Sequence, residues 1–129
     1  DGLELPPDAH KINTEQLPLS RWCNGVLAGH SRLEKVWNNA WQKMHNKNPH
    51  SMPAATKDLS HCLTMFSTFA DLPLAFEQAK VRDNDKQFVA LLPTVFLSLP
   101  PALQTYVNLS GTLVEYLPNQ FETFSPPSK

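Results

Sequence analysis

Apolar residues at Leu33, Val36, Trp37, Ala40, Trp41 and Met44 recur at i, i+3, i+4, i+7, i+8 and i+11, and the same spacing returns at Phe88, Leu91, Leu92, Val95, Phe96 and Leu99. That period lays the residues along one side of a helix and would scatter them over both faces of a strand. Arg32, Lys35, Asn38, Asn39, Gln42 and Lys43 fill the opposite side of the first stripe. A third stripe, Leu59, Cys62, Leu63, Phe66, Phe69 and Ala70, has the same character. No period-2 alternation of useful length occurs, and no hairpin turn is flanked by β-branched runs. The pattern predicts an all-α fold, a single-domain bundle of five to six mostly antiparallel helices.

Boundary residues place the helices. Pro18 suits a first turn, because its missing N–H has no intrahelical partner there. The first helix is expected from about Pro18 to Gly29, with Leu19, Trp22, Cys23, Val26 and Leu27 inward. Gly25 and Gly29 share a face. Each costs about 1 kcal/mol against Ala in a helix interior, so close approach by another helix is expected at Gly25 and a helix end at Gly29. Ser31-Arg-Leu-Glu34 reads as a capping box opening the second helix, and Asn46-Lys-Asn-Pro49 stops it. Residues 46–53 are expected to form a loop, after which Pro53 or Thr56 opens the third helix. Asp71 is expected to cap a short helix with Pro73 in its first turn. Pro93 should kink or split the next helix. The last helix starts near Pro101, with Leu103, Tyr106, Val107, Ser110, Leu113, Val114 and Leu117 inward and Gly111 hinting at close packing. Residues 1–17 read as an N-terminal tether, 18–117 as the helical domain and 118–129 as a flexible tail.

Composition bounds the function. The chain of 129 residues is 41% hydrophobic but only 18% charged, with 11 basic and 12 acidic residues. About 25% charge is usual for a soluble domain, so part of the surface is expected to be covered by a partner or by further chain. The charges read as interspersed, with no run of one sign and no footprint for nucleic acid. No apolar run approaches the ~20 residues that span a bilayer, so no membrane role is expected. Asp1-Gly-Leu-Glu4 has no signal-peptide pattern and no initiator Met precedes it, which reads as a processed chain or a fragment. Two Cys make no disulfide framework. They read as reduced thiols buried in a cytoplasmic protein.

The residues from Leu19 to Met44 gather the features that could carry chemistry: all three Trp, Cys23, both glycines and His30. Cys23 lies near a helix start, after Arg21, and His30 is about two turns further on the same face. A Cys23–His30 nucleophile can therefore be drawn. The favoured reading is a small buried thiol under Trp37 and Trp41. A metal set of Cys23, His30, His61 and Cys62 lacks the usual paired spacing, and adjacent His61 and Cys62 diverge by about 100° on a helix. No metal ligand, cofactor site or catalytic residue is assigned. His30 is read as facing the carbonyl end of the first helix, and His10, His45 and His50 as solvated. The aromatic stripes are read as core. Asn108-Leu-Ser110 fits a glycosylation sequon but lies mid-helix.

Arg21-Trp-Cys-Asn-Gly-Val-Leu-Ala-Gly-His30, followed by Leu33-Glu-Lys-Val-Trp37, resembles the "W-C-x-G-[FVY]-L-x-G" and "L-E-x-x-W" helices of the YecA/YgfB-like family of uncharacterised bacterial proteins. The later rhythm of Phe88, Ala90, Leu91, Leu99, Pro100, Leu103 and Tyr106 is similar too. The resemblance makes Trp22, Cys23, Gly25, Gly29, Ser31, Glu34, Trp37 and Trp41 a structural signature. It implies an all-helical cytoplasmic domain without established enzymatic activity. Some members end in a zinc-binding SEC-C motif. Nothing after Cys62 here is Cys or His, so that role does not transfer. The expected function is a protein-interaction or accessory module, self-association included, and the alternatives are a Cys23–His30 enzyme or a metal-binding protein.

Overall fold

The computed structural model of the chain describes residues 3–116. Among them are six α-helices and no strand: α1 (Pro18–Arg32), α2 (Glu34–Lys47), α3 (Met52–Ala70), α4 (Leu72–Val81), α5 (Asp85–Leu97) and α6 (Leu99–Val114). Leu117 and the tail expected at 118–129 lie outside the described residues.

The third helix is the axis of the molecule. Its predicted stripe faces inward as expected: Cys62, Phe66 and Phe69 are fully buried and Ala70 nearly so. α1 and α6 pack along it. The resulting core also takes Leu17, Leu19, Cys23, Met65, Leu72, Leu92, Leu99 and Ala102. A second, smaller cluster forms where α2 meets α6 and the start of α3, from Ala40, Met44, Met52, Ala55, Leu109 and Leu113.

The helix ends follow the local chemistry in several places. Pro18, Pro53, Pro73 and Pro100-Pro101 all fall within first turns, where a missing N–H costs no bond. Asp71 caps α4 as predicted, its carboxylate accepting from the Leu74 N–H at 3.1 Å. Asp83 closes α4 in a left-handed conformation, φ 61°. The next N–H, of Asn84, bonds back to the Ala79 carbonyl at 2.7 Å, which is a Schellman ending with Asp in the place Gly usually takes.

Other expectations are corrected. The capping box does not form: α1 runs on through Gly29 and Ser31 to Arg32, and α2 starts at Glu34 with no side-chain cap. The corner is made by Leu33 alone, at φ −96° and ψ 9°. Its N–H bonds to the Gly29 and His30 carbonyls, and its own carbonyl accepts from Trp37. A one-residue turn leaves no room for a separate cap. The loop expected at 46–53 is mostly helical, because α2 continues to Lys47 and Pro49–Ser51 form a 3-10 turn leading into α3. Pro93 does not split α5, which runs unbroken to Leu97. The direction changes instead at Ser98, where α5 and α6 meet at 53°.

The glycines do not mark close packing. A Cβ added at Gly25, Gly29 or Gly111 would meet nothing within 4 Å, and none of these three has positive φ. Leu33 and Val36, expected inward on α2, are exposed, as are Val107 and Val114 on α6. The buried residues of α6 are Leu99, Ala102, Leu109 and Leu113. Residues 3–17 are more ordered than a tether. Ala9–Lys11 and Thr14–Gln16 form 3-10 turns, Ala9, His10 and Leu17 are buried, and Leu3, Leu5 and Ile12 pack on the main core. His10, expected in solvent, lies against the Phe76 ring at 4.5 Å.

Candidate functional site

The corner between α1 and α2 holds the residues singled out by the sequence, and the structure separates them by role. Cys23 is fully buried. Loss of hydration pushes its thiol pKa up from 9.0 to about 11. A nucleophilic Cys needs the opposite shift. No hydrogen bond joins it to His30, whose partner is elsewhere, so the Cys23–His30 pair is not assembled. Cys62 is also buried and its thiol donates to the Ala102 carbonyl at 3.1 Å. Its pKa is raised by burial first and by Asp58 second.

His30 does not serve the carbonyl end of α1 in the expected way. Its Nδ1 lies 2.7 Å from the Tyr106 hydroxyl of α6, a hydrogen bond across 76 residues of sequence. Trp37 stacks on Tyr106 with centroids 5.5 Å apart and planes 10° from parallel, and meets His30 edge-on at 4.7 Å. Phe66 also meets Tyr106 edge-on, with centroids 5.6 Å apart. Burial lowers the His30 pKa, opposed by Glu34, and raises that of Tyr106, aided by Cys62. The group is therefore neutral at pH 7. The indole N–H of Trp37 is buried and finds no acceptor among the described residues. Tyr106 packs on the main core and Trp37 on the smaller one. The trio is the seam joining the two clusters.

Of the remaining signature residues, Trp22 packs on the main core, Trp41 on the smaller one, and Gly25, Ser31 and Glu34 are exposed. Among the described residues no three His, Cys, Asp or Glu side chains converge on one point. An open groove of about 650 Å³ runs between α3 and α4, lined by Leu59, Leu63, Thr64, Leu74, Ala75 and Gln78 among others. The carboxylate at its end, Asp71, is engaged as the α4 cap.

Two features escaped the sequence reading. Ser20 and Asn24, one turn apart on α1, donate to the Phe69 and Ala70 carbonyls at 2.8 and 3.0 Å. These are the orphan acceptors at the C-terminal end of α3, so the α1 motif caps a helix about 46 residues away. Nothing local announces such a partner. The other was readable. The charges are not evenly interspersed, since Gln87 through Val114 contains no Asp, Glu, Lys, Arg or His. That stretch is all of α6 and all of α5 beyond its first two residues, Asp85 and Lys86. Their outward positions include Ala90, Leu91, Thr94 and Leu97, then Gln104, Val107, Asn108 and Gly111. No single helix among the described residues is long and apolar enough to cross a membrane, and α5 with α6 would reach that length only as a bent pair.

Fold and site together define a small all-α domain with a neutral aromatic seam and an uncharged outer face. No family model matches the chain, and no curated protein or solved structure shows significant similarity to it.

Proposed function

We propose that this protein is a cytoplasmic helical module without catalysis that acts by binding another protein, self-association included. The uncharged outer faces of α6 and of α5 beyond Lys86 carry the reading. Leu91, Leu97, Val107 and Val114 are each at least 48% exposed there, in a chain whose other helices present charged residues outward. Depletion of charge with retained apolar area is the compositional mark of an interface core. Two buried, unpaired thiols suit a reducing compartment. We also propose kinship with the YecA/YgfB-like bacterial proteins, supported by the Trp22-Cys23 and Leu33–Trp37 motifs.

The test is a photo-cross-linking side chain placed in living cells at Thr94, at Val107 and, as a control, at Lys43 on the polar face of α2. Protein adducts at the first two positions and none at Lys43 are expected. Their absence, or equal yield at Lys43, would overturn the reading.

A further inference from the structure

We propose that residues 3–16 are a releasable strap, which lies across α4 and α5, covers one edge of the uncharged α5 face, and opens ahead of the helical core. The use of that release, widening the face for a partner, rests on the protein-binding reading above. Among the described residues, every hydrogen bond made by the strap is local. The Lys11 N–H donates to the Asp8 carbonyl, Ile12 to Ala9, Gln16 to Asn13 and Leu17 to Thr14, and the Glu15 N–H donates to the Asn13 side chain. Among these residues no hydrogen bond or ion pair joins the strap to any of the six helices. Its attachment is apolar. Ala9 is buried, the His10 ring lies against Phe76 of α4 at 4.5 Å, and Leu3, Leu5 and Ile12 are partly buried on the main core.

The strap also fills its seat loosely. A cleft of about 720 Å³ remains between residues 3–10 and the α5 side chains Val89, Leu92, Pro93, Phe96 and Leu97. A segment with few buried contacts and only local hydrogen bonds opens at lower free energy than the core beneath it. Pro6 and Pro7 have fixed φ and no N–H, so the strap keeps its shape when free and loses little freedom on docking again. Asp8 sits at φ 55°, a left-handed conformation that an L-residue adopts at a cost and that release can relax. What release uncovers is specific. Leu97 lines the cleft and is 73% exposed, so it joins the cleft to the outer face of α5. Opening extends that face to Val89, Leu92 and Phe96, with no charged residue between them. It also carries away Glu4 and Asp8, the two carboxylates that line the cleft. Docked, the strap thus places charge at the edge of a face that otherwise has none.

The test is a photo-cross-linking side chain at Leu97 in the purified full chain, with native trypsin cleavage after Lys11 as the measure of release. Internal adducts from position 97 to residues 3–10 are expected, and cleavage after Lys11 about tenfold faster than after Lys57 within α3. Ala9→Glu sets a carboxylate at a buried position. It should lower the internal adduct about fivefold and speed the Lys11 cut by a similar factor, with the Lys57 cut unchanged. Leu5→Ser, at a half-buried position, should move both readouts the same way by less. If Lys11 and Lys57 are cut at one rate, or both variants speed the two cuts together, the segment opens only with the core and the inference is overturned. Internal adducts at the original level in both variants would overturn it too. In cells, Ala9→Glu should raise protein adducts at Thr94. Adducts at Thr94 and Val107 that ignore Ala9→Glu would remove the strap's role and leave the protein-binding reading standing. Release in the purified chain with no protein adduct at either position would overturn that reading and uphold the strap.

Discussion

The main core and the smaller cluster come from helical patterns of equal quality, and they differ in what they bury. In the main core α3 lies between α1 and α6, and Phe66, Phe69, Leu19 and Leu72 lose all contact with solvent. In the smaller cluster α2 has α6 as its principal partner. It buries Ala40 and Met44, leaves Trp37 and Trp41 half-covered, and turns Leu33 and Val36 outward. A stripe specifies which side of a helix is apolar. How much of that side is covered depends on how many neighbours reach it. Stability should therefore be concentrated in the main core.

The largest effect tests that directly. Phe69→Ala removes a fully buried ring and is expected to cost about 3–5 kcal/mol, enough to unfold a marginal domain. Met44→Ala in the smaller cluster should cost about 2 kcal/mol, the low end for such truncations. Urea denaturation followed by circular dichroism measures both. Equal losses would break the distinction between the two clusters.

Raising the pH probes the main core without mutation. The Cys23 thiol is at about 11 in the folded chain against an ordinary 9.0. The folded state thus holds its proton more tightly. The stability it contributes is complete below pH 9 and is lost as pH rises from 9 through 11. Two pKa units correspond to about 2–3 kcal/mol. A Cys23→Ala variant should lose this part of the alkaline decline. An unchanged profile would show that the thiol is solvated, and with it that part of the core.

These contrasts explain what the sequence discloses. The α3 stripe is legible because polar residues such as Lys57, Asp58, Ser60 and Thr64 mark its other side. On α6 no charge marks either side, and apolar residues occur on both, Leu inward and Val outward. Hydrophobicity alone then assigns Val107 and Val114 inward and passes over Ala102 and Leu109. The residues that make α6 hard to orient are the same ones that leave its outer side without charge. The sequence suggests Cys23 packed under Trp37 and Trp41, but Trp22 and Cys23 belong to the main core and Trp37 and Trp41 to the smaller cluster. The Tyr106 partner of His30 is not legible either, since it lies 76 residues away.

Tyr106→Phe examines the seam. Removing the hydroxyl leaves the His30 ring nitrogen without its partner, at an expected cost of about 1 kcal/mol. The half-exposed ring can recover some hydration, which holds the loss to that size. The folded His30 pKa lies below its ordinary 6.5 because burial disfavours the cation. The unfolded chain therefore takes up the proton first, and stability present above pH 6.5 falls as pH drops through the lowered folded value. His30→Gln should remove that component, as read from the pH dependence of the urea midpoint.

The smallest expected effect is at Trp37, and it cuts most finely between the two regions. Its indole N–H is buried and has no acceptor among the described residues, so these leave the desolvation of that donor uncompensated. Trp37→Phe discards that donor and some ring area together, while a six-membered ring remains to stack on Tyr106. The two changes oppose each other, and the net shift should stay within about 1 kcal/mol. The same exchange of a buried large side chain for a smaller one in the main core, Phe69→Leu, has no such offset and should cost more. A loss of several kcal/mol at Trp37 would mean that the smaller cluster is as tightly coupled as the main core, and that the seam belongs to one continuous core rather than joining a strong region to a weak one.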